Sequence, residues 1–206
     1  MNNYFLSTSC LVCNFSDKLS IEDNSKVLAI YRSILSDKDF LNKYSIYDVV
    51  PTYNSIAFHF DGFDYQGIEK AILEKVGQTD FNQAFESKTH CIEVQYNGMD
   101  LEEVSKNIQL SVSEIVKLHT KNTYHIAMLG FKPYFPYLLG MDKKLEAPRL
   151  AKPRNRVGVG SIGIGGAQTA IFTTDTPSGW NIIGNTDFRD FSQFRAGDKI
   201  IFKEVR

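Results

Sequence analysis

"VGVGSIGIGGAQTA", residues 157–170, places five glycines in fourteen positions and spells a G-x-G-x-x-G at Gly158, Gly160 and Gly163. That spacing is the fingerprint of the turn that holds a dinucleotide pyrophosphate. Such a turn needs a strand before it, a helix after it and an acidic residue about twenty positions on. The flanks refuse this reading. Upstream, "APRLAKPRNR" (147–156) is basic and broken by proline; downstream, "QTAIFTTDTPSGW" (168–180) is rich in β-branched residues and stopped by Pro177. No helix can begin there to offer its N-terminus to a phosphate. No Gly-Lys-Ser/Thr is present, so a P-loop is excluded too. What is left is a glycine-rich strand and turn, where missing side chains let backbone or a ligand approach closely.

The rest of the chain divides by periodicity. Val27, Ile30, Tyr31, Ile34 and Leu35 form one stripe of an amphipathic helix, with Ser20 and Asp23 placed to cap its start. Two strand-like runs follow, "YSIYDVV" and "NSIAFHFD", separated at Pro51, and then a helix carrying Ile68, Ala71, Ile72 and Val76 on one side. With "CLVCNF" as a strand, this order implies a small α+β sandwich over residues 1–80. "GQTDFNQAFESKTH" (77–90) breaks the periodicity and reads as a linker. After a strand at "CIEVQY" come two helical stretches, the second opened by a capping box at Ser111 and Glu114. Beyond residue 122 the chain turns to short β-like runs punctuated by Gly and Pro, as in a barrel, so residues 81–206 read as a mainly β domain.

Composition narrows the function classes. The 23 basic and 24 acidic residues nearly cancel, which argues against broad electrostatic binding of nucleic acid or of an anionic membrane. No run of eighteen apolar residues exists and the N-terminal stretch lacks a basic leader, so a cytoplasmic protein is expected. Cys10 and Cys13 form a C-x-x-C inside a strand-like run, where residues three apart point to opposite faces. They read as ordinary semi-buried cysteines, and no metal site is expected.

The ordered blocks "GFKPYFPYL" (130–138), Pro148–Phe172, "PSGWNIIGNT" (177–186) and "AGD" (196–198) carry a family resemblance. They are similar to the signature blocks of the family of KipI and the 5-oxoprolinase B subunits, also called allophanate hydrolase subunit 1, and the likeness covers nearly the whole chain. Tyr134, Ala170 and Ser178 stand where that pattern has glycine, and Thr173 where it has proline. The resemblance implies an α+β N-terminal domain followed by a cyclophilin-like β-barrel. It implies a polypeptide that acts with the A and C subunits of 5-oxoprolinase to open a small-molecule substrate, 5-oxoproline, to glutamate. ATP is required by the complex, and no cofactor is bound by this chain alone. Two alternatives stay open within the family: an inhibitor of a sensor histidine kinase, and the carboxyltransferase half of a urea carboxylase. A free protomer is expected to bury its partner face in a homo-oligomer.

Site candidates follow from residue chemistry. Arg149, Arg154 and Arg156 offer guanidinium forks suited to carboxylate or phosphate, or are basic residues of a solvated loop. Gln168 and Thr169 are candidates to hydrogen-bond a small amide across the glycine surface, or form a self-satisfied turn. Phe131, Phe135 and Trp180 would make an apolar wall, or ordinary core. His119 sits on an apolar helix face, where a core histidine is the plainer reading than a general base, and no catalytic residue is assigned.

Overall fold

The computed structural model describes residues 2–62, 64–81 and 86–205. The chain divides into two compact units, Met1–Glu86 and Ser87–Arg206. The division falls within the stretch expected to be a linker, whose residues 82–85 lie outside the described part.

The first unit runs β1 (Asn2–Ser7), β2 (Cys10–Asn14), α1 (Ile21–Ser36), α2 (Lys38–Lys43), β3 (Ile46–Pro51), β4 (Ser55–Phe60) and α3 (Tyr65–Gly77). The strands form an antiparallel sheet in the order β1-β2-β4-β3. Strict alternation in β4 sends Ile56, Phe58 and Phe60 into a core completed by Val27, Ile30 and Ile34 of α1 and by Ile68, Ile72 and Val76 of α3. Ser20 caps α1 by accepting the Asp23 N–H at 3.0 Å, while the Asp23 carboxylate accepts from Ser16 Oγ rather than closing a reciprocal box. Cys10 and Cys13 are both buried free thiols in β2. Burial, and secondarily the nearby Glu69 charge, push the Cys13 thiol up to about 12, which leaves it without thiolate character. Two elements were not anticipated: the short α2 and the edge strand β1, whose "NNYFLS" shows no alternation of buried and exposed residues.

The second unit contains β5 (Thr89–Val94), α4 (Leu101–Ile108), α5 (Val112–Lys121), β6 (Thr123–Leu129), β7 (Pro136–Leu139), β8 (Arg154–Val157), β9 (Ser161–Gly165), β10 (Gln168–Ile171), β11 (Thr176–Ser178), β12 (Asn181–Asn185) and β13 (Lys199–Glu204). Seven of these strands form one sheet in the order β12-β9-β10-β7-β6-β13-β5, and β8 and β11 pair separately as a two-stranded ribbon. The two ends of the large sheet meet: Gln95, just past β5, donates to Asn185 O at 2.8 Å and accepts from Asn185 N at 2.9 Å. The sheet is thereby nearly closed into a barrel, the expected class for this half of the chain. Its interior holds Leu138, Ile162, Ile164, Ile171, Ile183 and Phe202, and α4 and α5 add Leu101, Val104 and Ile115 to the same cluster. The capping box of α5 is present in full, Ser111 Oγ accepting from Glu114 N and Glu114 Oε2 accepting from Ser111 N. No helix among the described residues is long and apolar enough to cross a membrane.

The seam requires glycine. A Cβ on Gly184 would stand 2.7 Å from Gln95 O and 2.9 Å from Val94 Cγ1, inside the van der Waals limit on both sides. Gly184→Ala is therefore expected to cost about 1–3 kcal/mol, the usual cost of overpacking. The shift will appear as a lower urea midpoint with an unchanged slope. Gly77→Ala is the control: a Cβ there meets nothing within 4 Å, and its midpoint should hold or rise.

Candidate functional site

The glycine stretch folds as the hairpin of β9 and β10, a strand followed by a strand, with Gly165 paired to Gln168. Gly166 opens the two-residue turn at φ +62°, a conformation that glycine adopts without steric cost. Along β9, Ile162 and Ile164 point into the barrel, and alternation turns Gly163 and Gly165 to the other face. That bare face is covered by aromatics. A Cβ on Gly165 would lie 2.7 Å from the Trp180 ring, and one on Gly163 would lie 2.9 Å from Phe172. The glycines allow close approach of ring to backbone, and a strand rather than a helix follows them.

Around them Phe135, Val157, Ala170, Phe172, Trp180 and Ile182 make a second apolar cluster outside the barrel core. Phe135 meets Phe131, Tyr137, Phe172 and Trp180 edge to face, with ring centroids 5.0–6.3 Å apart. These rings line a cleft of about 300 Å³ whose remaining walls are Arg149, Pro153, Pro177, Ser178 and Gly179. The Arg149 guanidinium carbon sits 5.5 Å from the Trp180 ring centre, a cation–π placement. At the mouth, Phe131 is 60% exposed. Phe131 (φ +67°) and Tyr134 (φ +60°) both occupy the left-handed region, which bulky residues rarely adopt. The loop is held by Lys132 N to Gly130 O at 2.7 Å and by Thr173 Oγ1 to Pro133 O at 2.8 Å.

The expected site residues separate into two groups. Arg149, Phe131, Phe135 and Trp180 come together in this cleft. Arg154 and Arg156 do not line it: Arg154 pairs with the buried Asp100, and Arg156 pairs with Asp175 on the surface. Among the described residues no carboxylate pairs with Arg149. Gln168 and Thr169, neighbours in β10, face opposite ways. Gln168 falls on the Ala170 side, buried and with Nε2 unpartnered, whereas Thr169 is fully buried against His119.

His119 is interior. Its Nε2 lies 3.0 Å from Thr169 Oγ1, and Thr169 Oγ1 in turn donates to Gly163 O at 3.0 Å. With the threonine proton committed to that carbonyl, His119 Nε2 must donate, and Nδ1 must accept from Tyr96 OH at 2.7 Å. The relay fixes a neutral imidazole beneath the glycine strand. Burial drives its pKa down to about 3, and burial likewise raises the Tyr96 phenol. His119 is thus a satisfied core group.

Sequence reasoning missed Tyr137, Phe172 and Asp100. The first two carried a readable signal, since Phe135 and Tyr137 alternate on one strand face and Phe172 continues the Gln168–Ala170 face. Asp100 carried none, because its partners lie 54 and 82 positions away.

The family model for the carboxyltransferase domain, subdomain C and D, matches residues 1–201. The chain belongs to that family. Among its carboxyltransferase-domain relatives, a Haemophilus influenzae protein named as the B subunit of 5-oxoprolinase is 32% identical, over 98% of this chain and 97% of its own length. The Bacillus subtilis protein of the same name is 29% identical, over 97% and 91%. The crystal structure of TTHA0988 superposes with a TM-score of 0.83 at 28% identity, covering 96% of this chain. This carboxyltransferase chain spans 40% of the length of that one.

The neutral relay makes a pH prediction. Because the folded pKa of His119 lies below the ordinary 6.5, the unfolded chain binds the proton more readily. The stability from this group is complete above 6.5 and is lost as pH falls toward 3. Histidine ¹⁵N–¹H spectra should show His119 as the Nε2–H tautomer, without titration, from about pH 8 to about pH 5. A midpoint near 6.5 would remove the relay.

Proposed function

We propose that this protein is the B subunit of an ATP-dependent 5-oxoprolinase, acting with the A and C subunits to open 5-oxoproline to L-glutamate. The observation that carries the reading is the aromatic cleft with Arg149 over Trp180, in a chain whose relatives bear that name along most of their length. 5-Oxoproline is a small flat ring bearing one carboxylate. Aromatic faces suit the ring, and a guanidinium fork suits the carboxylate.

An unstrained lactam is a poor electrophile; ATP bound by the complex would supply the activation, and one water would add to the amide carbon as the C–N bond breaks. No Gly-Lys-Ser/Thr occurs in the sequence, and this reading gives the nucleotide to a partner polypeptide. The role of this chain is then positioning. Arg149 holds the carboxylate, Trp180 and Phe135 fix the ring plane, and the apolar walls exclude bulk water from the activated amide. His119 takes no part in proton transfer, since it is neutral, buried and committed at both nitrogens.

The test is 5-oxoproline-dependent ATP hydrolysis by the A and C subunits with and without this chain. Activity is expected only with all three, and this chain alone should be silent. Within that complex Arg149→Ala should lower kcat/KM roughly 10–100-fold, the value of a charged hydrogen bond. Arg156→Ala, whose exposed pair with Asp175 lies outside the cleft, should leave it within about twofold. Full turnover by the A and C pair without this chain defeats the proposal.

A further inference from the structure

The cleft has two walls from different sheets. One is the face of the barrel that carries Trp180, just before β12; the other is the β8–β11 ribbon, with Pro153 directly before β8 and Pro177 within β11. Asp100 touches both. Its backbone N donates to Ile182 O at 2.9 Å, and its Oδ2 accepts the Ile182 N–H at 2.7 Å, so it grips β12 two residues beyond Trp180. Its Oδ1 accepts from Arg154 Nη2, and Arg154 opens β8 directly after Pro153 and opposite Ser178 of β11.

Asp100 is only 6% exposed, and its carboxylate is not used for the task its position suggests. It is the N-cap residue of α4, where an aspartate normally accepts a helix N–H, yet it makes no side-chain cap bond. Its charge is turned to the sheet instead. Arg154 depends on it in return, with Nη1 buried and without a partner. Loss of the carboxylate would leave a partly buried guanidinium uncompensated beside the cleft wall.

We propose that Asp100 is a positioning residue, which through Arg154 and Ile182 locks the ribbon to the barrel and sets the width of the Trp180 cleft. The consequence for substrate rests on the reading of that cleft as the 5-oxoproline site. The chain has one tryptophan, so the cleft reports on itself.

Two variants separate the grips. Asp100→Asn removes the charge, and Arg154→Gln keeps the Asp100–Ile182 bonds while cutting the joint to the ribbon. In both, with far-UV circular dichroism unchanged, acrylamide quenching of Trp180 should rise at least about twofold as the walls part. In the complex with the A and C subunits, both should raise KM for 5-oxoproline roughly tenfold while kcat stays within about threefold, the split expected of lost ground-state positioning. Arg154→Lys, which retains a cation for Asp100, should recover part of the loss of both.

Unchanged Trp180 quenching in folded Arg154→Gln overturns the proposal. So does unfolding of both variants, because the pair would then hold the fold and not the cleft. If wild-type complex fails to turn over 5-oxoproline, the functional reading falls, and the fluorescence arm still decides the role of Asp100.

Discussion

Trp180 lying against the bare backbone of Gly163 and Gly165 is the contact on which the second unit turns. An indole stacked 2.7 Å from where a Cβ would be needs a strand with no side chains on that face. Once it is seated, Phe135, Phe172 and Ile182 can close around it without entering the barrel interior, where Ile162 and Ile164 of the same strand are packed. One strand therefore separates two apolar clusters: large residues inward, none outward. A side chain at either glycine would displace a ring and, with it, the wall of the cleft.

The same economy of space governs the place where the sheet meets itself. Residues 95–100 run along β12 with Gln95 bonded to Asn185, Gly98 N to Ile183 O at 3.2 Å, and Asp100 to Ile182. A Cβ on Gly98 would collide with the Ile182 carbonyl. Closure thus satisfies the backbone groups of β12 that an open edge would leave to water, and it does so through a segment that is not itself a strand. Three residues near the cleft fit into that frame. Thr173 takes the Pro133 carbonyl, Ser178 Oγ accepts the Trp180 N–H at 3.1 Å, and the Ala170 methyl joins the aromatic cluster.

Much of this was legible in the residues. The apolar stripes of α1 and α3, the alternation in β4, the capping box of α5 and the β character beyond residue 122 all rest on short-range pattern, and each formed as read. The reading of the glycines as a strand and turn also held, since β9 runs into β10 as a hairpin. The strand β1 was hidden because an edge strand with both faces exposed needs no alternation. Within the site, Phe131, Phe135 and Trp180 were legible as aromatics near glycine. The division of labour among Arg149, Arg154 and Arg156 was not. It is decided by where Asp100 and Asp175 lie, and the sequence alone carries no trace of partners so far removed.

The parallel pairing of β5 with β13 has a consequence for how the molecule is made. Thr89–Val94 lie beside Lys199–Glu204 over six consecutive positions, so the first strand of the barrel unit has its long neighbour in the last. During synthesis β5 emerges more than a hundred residues before β13, so its inward His90, Ile92 and Val94 lack their partner strand until residues 199–204 have emerged. Contacts of such sequence separation are slow to form. The α+β unit can complete its own sheet from residues already emerged, whereas the barrel cannot close by increments. Its folding is tied to the arrival of one late strand, and a chain stalled before residue 199 would carry an intact first unit and an open second one.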